Sequence, residues 1–213
     1  MKNIKNSQWN NIPGWFDYSN IYDMAIDQSK PDSVFVEIGA WFGKSTAYMA
    51  QKIADSGKSI TFYVVDTWQG SEESETQKKT AKQYNNNIFP VFWQNIVNCG
   101  LQQYVKPIQL SSIQAAKSFK DKSIDFVFID ASHLYEAVLS DIKSWYPKIK
   151  NKGIIAGHDY SPKFNGVVQA VNEIFLNNVE IITPKNKLSD SWLHIKLGNN
   201  NDRYNNHSHS DLQ

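Results

Sequence analysis

Three aspartates in this sequence each close an apolar run. Asp66 follows Thr61-Phe-Tyr-Val-Val65, Asp130 follows Phe126-Val-Phe-Ile129, and Asp159 follows Gly153-Ile-Ile-Ala-Gly-His158. Glu37 stands inside a fourth run, Val34 to Ile38, and His133 lies one turn beyond Asp130. An apolar run that ends in an acid reads as a buried strand whose last side chain reaches the sheet edge. Glu37, Asp66, Asp130, His133, His158 and Asp159 are therefore expected at one edge, and such convergence is a mark of a site. Asp130, His158 and Asp159 offer oxygen and imidazole ligands suited to a hard or borderline divalent ion such as Mg²⁺ or Mn²⁺. No cysteine lies near them, so a structural zinc site does not fit. An imidazole titrates near neutrality, so His133 is a candidate to take a proton from a hydroxyl, and a nearby cation would ease that work. Plainer roles stand beside these: Asp130 as a helix N-cap, His133 as a capping residue, and His158 as a satisfied hydrogen-bonded side chain, which outweighs direct ligation.

These residues need a scaffold, and Val34-Phe-Val-Glu-Ile-Gly-Ala-Trp-Phe-Gly-Lys-Ser45 is the stretch that organises it. Val34 to Ile38 suits a buried strand, Gly39 and Gly43 bracket a loop, and Ser45 to Ile53 reads as a helix. A strand that turns through glycines into a helix aims backbone N–H groups and a positive helix end at a ligand. Glycine is first a turn residue, so the spacing alone decides little. Two acids tip the balance. Glu37 is costly to bury unless something pairs with it. Asp66 closes the next strand, where this architecture holds a ribose hydroxyl about 20 residues or more downstream. The pair points to a nucleoside-bearing ligand.

Strands are expected at Val34 to Ile38, Ser59 to Asp66, Val105 to Leu110, Ile124 to Asp130, Gly153 to Asp159, Val179 to Thr183 and Ser191 to Lys196. Helical patterns separate the first five, with Leu134 to Tyr146 amphipathic and stopped by Pro147. Ser111-Ser112 starts the helix after the third strand, and Asn165-Gly166 punctuates a loop before a helix over Val167 to Leu176. The alternation predicts an α/β domain with a mainly parallel sheet covered on both faces, and the last two strands are close enough to be antiparallel neighbours. Residues 1–11 read as a flexible arm and residues 12–198 as a single domain. Within it, residues 12–30 form an N-terminal helix or lid carrying Trp15, Phe16 and Tyr18, and residues 68–93 form a substrate-side insertion. Ser71 to Lys82 reads as a charged surface segment. Residues 199–213 read as a disordered tail whose His207 and His209 are solvated.

The 213 residues carry a net charge of +1, so no global field favours nucleic acid or an acidic membrane. Arg203 is the only arginine, which leaves the domain without a guanidinium fork for polyphosphate and argues against kinases. Cys99, the only cysteine, excludes an intrachain disulfide or redox pair and reads as a small apolar residue at a helix end. No secretory leader or long apolar span is read, which gives the expectation of a soluble, cytoplasmic protein.

Glu37-Ile-Gly-Ala-Trp-Phe-Gly-Lys-Ser-Thr46 resembles the first motif of class I S-adenosylmethionine-dependent methyltransferases, and Val65-Asp-Thr-Trp68 resembles their second. Phe128-Ile-Asp-Ala-Ser-His-Leu-Tyr-Glu136, Asp141, Trp145 and Gly153-Ile-Ile-Ala-Gly-His-Asp-Tyr160 look like the branch related to macrolide-sugar O-methyltransferases and cephalosporin-hydroxylase-like proteins. The resemblance covers Ile12 to Lys196 and implies a Rossmann-like, doubly wound seven-stranded sheet with an antiparallel last strand. It implies that Gly39 and Gly43 wrap the methionine part of S-adenosylmethionine, with Ala40 and Ser45 in the same cofactor-binding loop and Glu37 supporting it. Asp66 would hold the ribose hydroxyls, with Thr67 and Trp68 beside the adenosine. Ser111 and Ser112 fall near the adenine, where many relatives carry an acid. Asp130 matches a first metal ligand and Asp159 a later one, and the third is either His158 or absent. His133 falls where this branch places its general base. The implied reaction is an in-line methyl transfer to a hydroxyl of a small molecule, a sugar among the candidates, with Mg²⁺ or Mn²⁺ assisting.

Two other classes share parts of this pattern. An NAD-dependent oxidoreductase has the same strand–glycine–helix architecture, but Glu37 occupies the position of its first glycine. A non-catalytic cofactor-binding module would not need His133 and Asp159. Neither a basic patch nor a base-flipping methylation motif supports a nucleic-acid acceptor. The N-terminal aromatics fit a homo-oligomer interface as readily as a lid.

Overall fold

The computed structural model describes residues 8–71, 73–184 and 189–198. The expected tail, with His207 and His209, lies outside the described residues, as do residues 1–7.

Seven strands form one sheet: β1 (Ser33–Ile38), β2 (Ile60–Asp66), β3 (Lys106–Gln109), β4 (Ile124–Ile129), β5 (Ile149–Gly157), β6 (Glu180–Ile182) and β7 (Ser191–Ile195). Their order is β3-β2-β1-β4-β5-β7-β6. The first five are parallel, whereas β7 runs antiparallel to both β5 and β6. This is the mainly parallel sheet that the alternation of elements predicts, in the Rossmann-like, doubly wound form that the resemblance implies. The chain leaves β1 toward β2 and β3, then crosses back to place β4 on the other side of β1. The crevice at that reversal, outside the carboxyl ends of β1 and β4, is where open α/β sheets take their ligands.

Among the described residues seven α-helices cover the faces: α1 (Ser19–Gln28), α2 (Lys44–Ser56), α3 (Glu75–Gln83), α4 (Phe89–Asn98), α5 (Ser112–Ala116), α6 (Tyr135–Trp145) and α7 (Asn165–Phe175). Strand side chains alternate between faces, so the sheet separates two apolar cores. Phe35, Phe62, Val64, Phe126 and Phe128 pack with α1, α2 and α4 on one side. Val36, Ile38, Val127, Ile129 and Ile155 pack with α6 and α7 on the other. Alternation also fixes the fate of Glu37, which shares the first face and meets Tyr22 of α1 and Thr46 of α2.

Several elements differ from their expected form for identifiable reasons. Trp9–Asn11 close a 3₁₀ turn, and Trp9 packs edge-on against Tyr48 at 4.9 Å, so the end of the expected arm joins the core. The charged stretch after Gly70 folds into α3, whose N-cap Ser74 accepts from the Gln77 amide. β5 begins at Ile149 rather than at Gly153, because a bulge in its pairing with β4 lets Ile149 oppose Ile124. Asn165-Gly166 lies inside α7, not before it; a Cβ on Gly166 would stand 2.4 Å from the His133 carbonyl oxygen. Glycine there permits close packing of α7 on the His133 loop.

Candidate functional site

A cavity of about 740 Å³ opens at the carboxyl ends of β1, β2 and β4. The glycine turn forms its floor. Gly39 (φ +87°) and Gly43 (φ +90°) are both left-handed, a region that costs other residues strain. Gly39 donates its amide to the Val65 carbonyl at 2.9 Å, and Asp130 donates its own to the Ile38 carbonyl at 2.8 Å. The turn is thus wedged between β2 and β4, and a Cβ on Gly39 would lie 1.9 Å from the Asp130 carbonyl oxygen. Gly43 serves the core instead: a Cβ there would lie 2.9 Å from the Phe92 ring. Ala40 and Ser45 line the cavity with Gly39.

Asp66 ends β2 on the cavity wall, as its place in the sequence requires. Its carboxylate accepts from the amides of Ala40 (2.8 Å), Trp41 (3.0 Å) and Trp68 (2.6 Å), so it ties the glycine turn to the following loop. Burial pushes its carboxyl up, and those amides oppose the rise. Thr67 and Ser112 continue the same wall. Ser111 caps α5, accepting from the Gln114 amide, and stands off the wall. Trp68, expected beside the adenosine, is 1% exposed and packs against Phe89 and Phe92 with centroids 4.9 and 4.7 Å away. It is a core residue in a left-handed turn. Glu37 is also absent from the wall. Burial pushes its carboxyl up to about 7, against the pull of hydroxyls from Ser45, Thr46 and Tyr22, and its role is to brace the turn from below. Cys99 is buried at the end of α4, where burial pushes its thiol up and away from nucleophilic use.

The acids and imidazoles converge at the other end of the same cavity. Asp130, His133 and Asp159 present ligand atoms that all lie within 4.8 Å of one another. His133 holds Nε2 at 2.8 Å from Asp159 and Nδ1 at 3.6 Å from Glu73. Burial would lower its pKa, but the hydrogen bond to Asp159 and the charges of Asp159, Asp130 and Glu73 raise it. Asp159 sits at φ +59° and its carboxyl is held well below the usual range: burial opposes this, and the hydrogen bonds and charges of His133 and His158 prevail. For Asp130 burial wins and the carboxyl is pushed up. His158, expected as a third ligand, places Nε2 at 2.8 Å from Asp17, leaving Nδ1 at 3.5 Å from Asp159 and 3.9 Å from Asp130. Burial notwithstanding, Asp159, Asp130 and Asp17 push its pKa up to about 9. The tight group that forms is Asp130, His133 and Asp159.

Two members of this cluster, Asp17 and Glu73, carry no signal in the sequence, and a third, Tyr18, is expected there only as part of a helix or lid. Tyr18 donates its hydroxyl to Asp130 at 2.8 Å and stacks on Phe128. Asp17 pairs with His158. Glu73 accepts from the Ser132 hydroxyl and from the His133 amide at 3.0 Å. Asp17 and Tyr18 come from the N-terminal segment and Glu73 from the segment before α3. That second segment also brings Gly70 and Ser71 to the cavity and α3 brings Gln77, while Trp15 stands at its mouth, 60% exposed.

The comparisons with known proteins show the family and the fold. Residues 36–160 match the family model described as a methyltransferase domain, so this chain belongs to that family. Its fold is that of class I S-adenosylmethionine-dependent methyltransferases. An S-adenosylmethionine-dependent O-methyltransferase from Thermotoga maritima superposes with a TM-score of 0.61 at 14% identity, over 92% of this chain and 72% of that one. An rRNA methylase from Streptococcus thermophilus does so at 0.57 and 14%, over 86% and 98%. Among curated sequences, an uncharacterized protein of Sinorhizobium fredii is 28% identical over 134 residues, 62% of this chain. One of Acanthamoeba polyphaga mimivirus is 29% identical over 157 residues, 71% of this chain. The chain spans 13% and 63% of the lengths of these two relatives. No helix among the described residues is long and apolar enough to cross a membrane.

Proposed function

We propose that this chain transfers the methyl group of S-adenosylmethionine to a hydroxyl of a small molecule, a sugar being the first class to test. One observation carries the reading. A single cavity has the glycine turn and Asp66 at one end and the Asp130–His133–Asp159 group at the other. The first end suits the methionine and ribose of the cofactor, and the second suits an acceptor hydroxyl. The methyl passes from the sulfonium sulfur to the acceptor oxygen, and the hydroxyl proton goes to His133. The sulfonium is already a strong electrophile, so alignment of the two ends supplies much of the rate.

Asp130 and Asp159 have the hard oxygen donors that a magnesium or manganese ion takes, so this pair of carboxylates fits such a cation and leaves His133 beside them to take the proton. When bound, the cation supplies Lewis acidity to the acceptor hydroxyl and offsets the carboxylate charge that holds a proton on His133. Tyr18 and Asp17 hold Asp130 and His158 in place from the N-terminal side. The balanced net charge favours a small acceptor over a nucleic acid.

Two measurements test the reading. Titration calorimetry with S-adenosylmethionine is expected to show micromolar binding that falls at least about 100-fold in Asp66→Ala, because two amides of the turn and one of the following loop lose their acceptor together with the ribose contact. Formation of S-adenosylhomocysteine is then followed over a panel of sugars and phenols, with magnesium or with chelator. His133→Ala should leave cofactor affinity within about threefold and lower turnover by on the order of 100-fold or more. Turnover on RNA but on no small molecule would reverse the choice of acceptor.

A further inference from the structure

Three donor atoms converge just beyond the carboxyl end of β5. His158 Nδ1 lies 3.5 Å from Asp159 Oδ1 and 3.9 Å from Asp130 Oδ1. These separations are long for a hydrogen bond and resemble those between neighbouring ligands of one ion, each about 2.1 Å from it. Successive side chains of an extended chain point to opposite sides, so His158 and Asp159 would ordinarily part. Asp159 stands at φ +59°, in the left-handed region, and both side chains come to face Asp130. Strain of this kind collects at functional sites. The imidazole is also held from behind. Its side chain is 8% exposed, Tyr18 packs against the ring with centroids 4.9 Å apart, and Asp17 Oδ1 stands 2.8 Å from the far nitrogen, Nε2. Asp17 is itself only 6% exposed at its side chain, and its other oxygen accepts from the Ser189 amide at 3.4 Å. A carboxylate on one ring nitrogen leaves the lone pair on the other, the arrangement found behind metal-bound histidines. Asp17 and Tyr18 lie outside residues 36–160, which match the family model, so this backing is particular to the N-terminal segment of the chain.

We propose that Asp17 is a positioning residue of the cation site: it holds His158 with Nδ1 toward Asp130 and Asp159, and the resulting set of one imidazole and two carboxylates takes a first-row transition ion such as Mn²⁺ ahead of Mg²⁺. The inference rests on the reading of Asp130 and Asp159 as cation ligands, and adds to it the residue behind the third ligand and the kind of ion selected. Mg²⁺ favours oxygen donors and water, whereas an imidazole nitrogen raises affinity for the softer transition ions. His133 stays outside the set, beside Asp159 at 2.8 Å, where it can take the acceptor's proton.

Electron paramagnetic resonance of Mn²⁺ titrated into the full chain tests this, with spin-echo modulation reporting any nitrogen ligand on the ion. Wild type is expected to hold Mn²⁺ with a nitrogen coupling that His133→Ala retains and His158→Ala loses. With Mg²⁺ added in competition, His158→Ala should narrow the preference for Mn²⁺ by about tenfold. Asp17→Ala should weaken Mn²⁺ binding by at least about tenfold and lose the nitrogen coupling. Asp17→Asn, whose amide oxygen can still meet Nε2, should keep the coupling and stay within about threefold of wild type. Circular dichroism checks the fold. Should Asp17→Ala fail to fold, the His133 and His158 variants still decide the ligand set. Mn²⁺ bound without a nitrogen coupling, or with one that depends on His133 instead, overturns the proposal and leaves Asp130 and Asp159 standing as cation ligands. A folded Asp17→Ala chain that binds Mn²⁺ as wild type does overturns the role of Asp17. Failure of wild type to bind Mn²⁺ overturns both readings.

Discussion

Gly39→Ala is expected to abolish measurable binding of S-adenosylhomocysteine and to lower stability by on the order of 3 kcal/mol or more. Two costs add at this position. The residue sits at φ +87°, where an L side chain is strained, and the new methyl would stand 1.9 Å from the backbone oxygen of Asp130. A flexible side chain could move aside, but that oxygen belongs to the end of a central strand. Relief therefore requires the turn and the end of β4 to separate, which displaces the floor of the cavity and Asp130 together. Gly57→Ala is the control. It shares a positive φ of +65° but has nothing within 4 Å of the added carbon, so only backbone strain of about 1 kcal/mol is expected. Urea denaturation and calorimetry on both variants check the contrast. Similar losses in the two would show that conformation alone, and not the wedge against β4, governs the turn.

Glu37→Gln should remove a pH dependence of stability that wild type carries between about pH 4.5 and 7. In the folded chain the carboxyl is pushed up to about 7 from its ordinary 4.5 by burial, with the Ser45, Thr46 and Tyr22 hydroxyls opposing the rise and the charge of Asp130 adding to it. The folded state thus binds this proton more tightly than the unfolded chain does. The contribution is fully present below pH 4.5 and is lost as pH rises through 7. At pH 8 the buried charge costs wild type roughly 3 kcal/mol relative to its neutral form, since each tenfold gain in proton affinity is worth about 1.4 kcal/mol. The variant has no charge to bury, and the Tyr22 and Thr46 hydroxyls can turn to suit an amide. Denaturation midpoints at pH 5 and pH 8 decide the point: the variant should gain on wild type at the higher pH, and parallel profiles would rule out a titrating Glu37.

The parts of this site that were legible in the sequence are those fixed by one strand and the residue at its end. Central strands buried on both faces must be apolar, so β1 and β4 stand out, and Asp130 at the end of such a run can point only toward the edge. The glycine turn and Asp66 were legible for the same reason. Glu73 was not, because it lies in a charged stretch that resembles any solvated surface, and its partners Ser132 and His133 come 59 and 60 residues later. Asp17 was hidden likewise: its meaning depends on His158, which only the folded chain brings near. Trp68 shows a different limit. Its type suits a stacking surface and a core equally, and what decides is the presence of Phe89 and Phe92 on α4, so it packs inside. The glycines at 43 and 166 look like turn residues, yet each is required by a neighbour far along the chain, Phe92 in one case and the His133 loop in the other.

The cavity is assembled from two kinds of chain. Part of its lining is strand ends such as Ile38, Val65 and Asp66, and part comes from outside the sheet: Pro13, Gly14, Trp15 and Tyr18 of the N-terminal segment, Gly70, Ser71, Glu73, Ser74 and Gln77 around the start of α3, and Lys163 and Phe164. The N-terminal connection is tied into the rest of the site, because Tyr18 and Asp17 hold Asp130 and His158 and Lys44 of α2 donates to the Gly14 carbonyl. Exchanging it would disturb both halves of the cavity at once, so a change of acceptor is expected to come from Gly70, Ser71 and Gln77 instead.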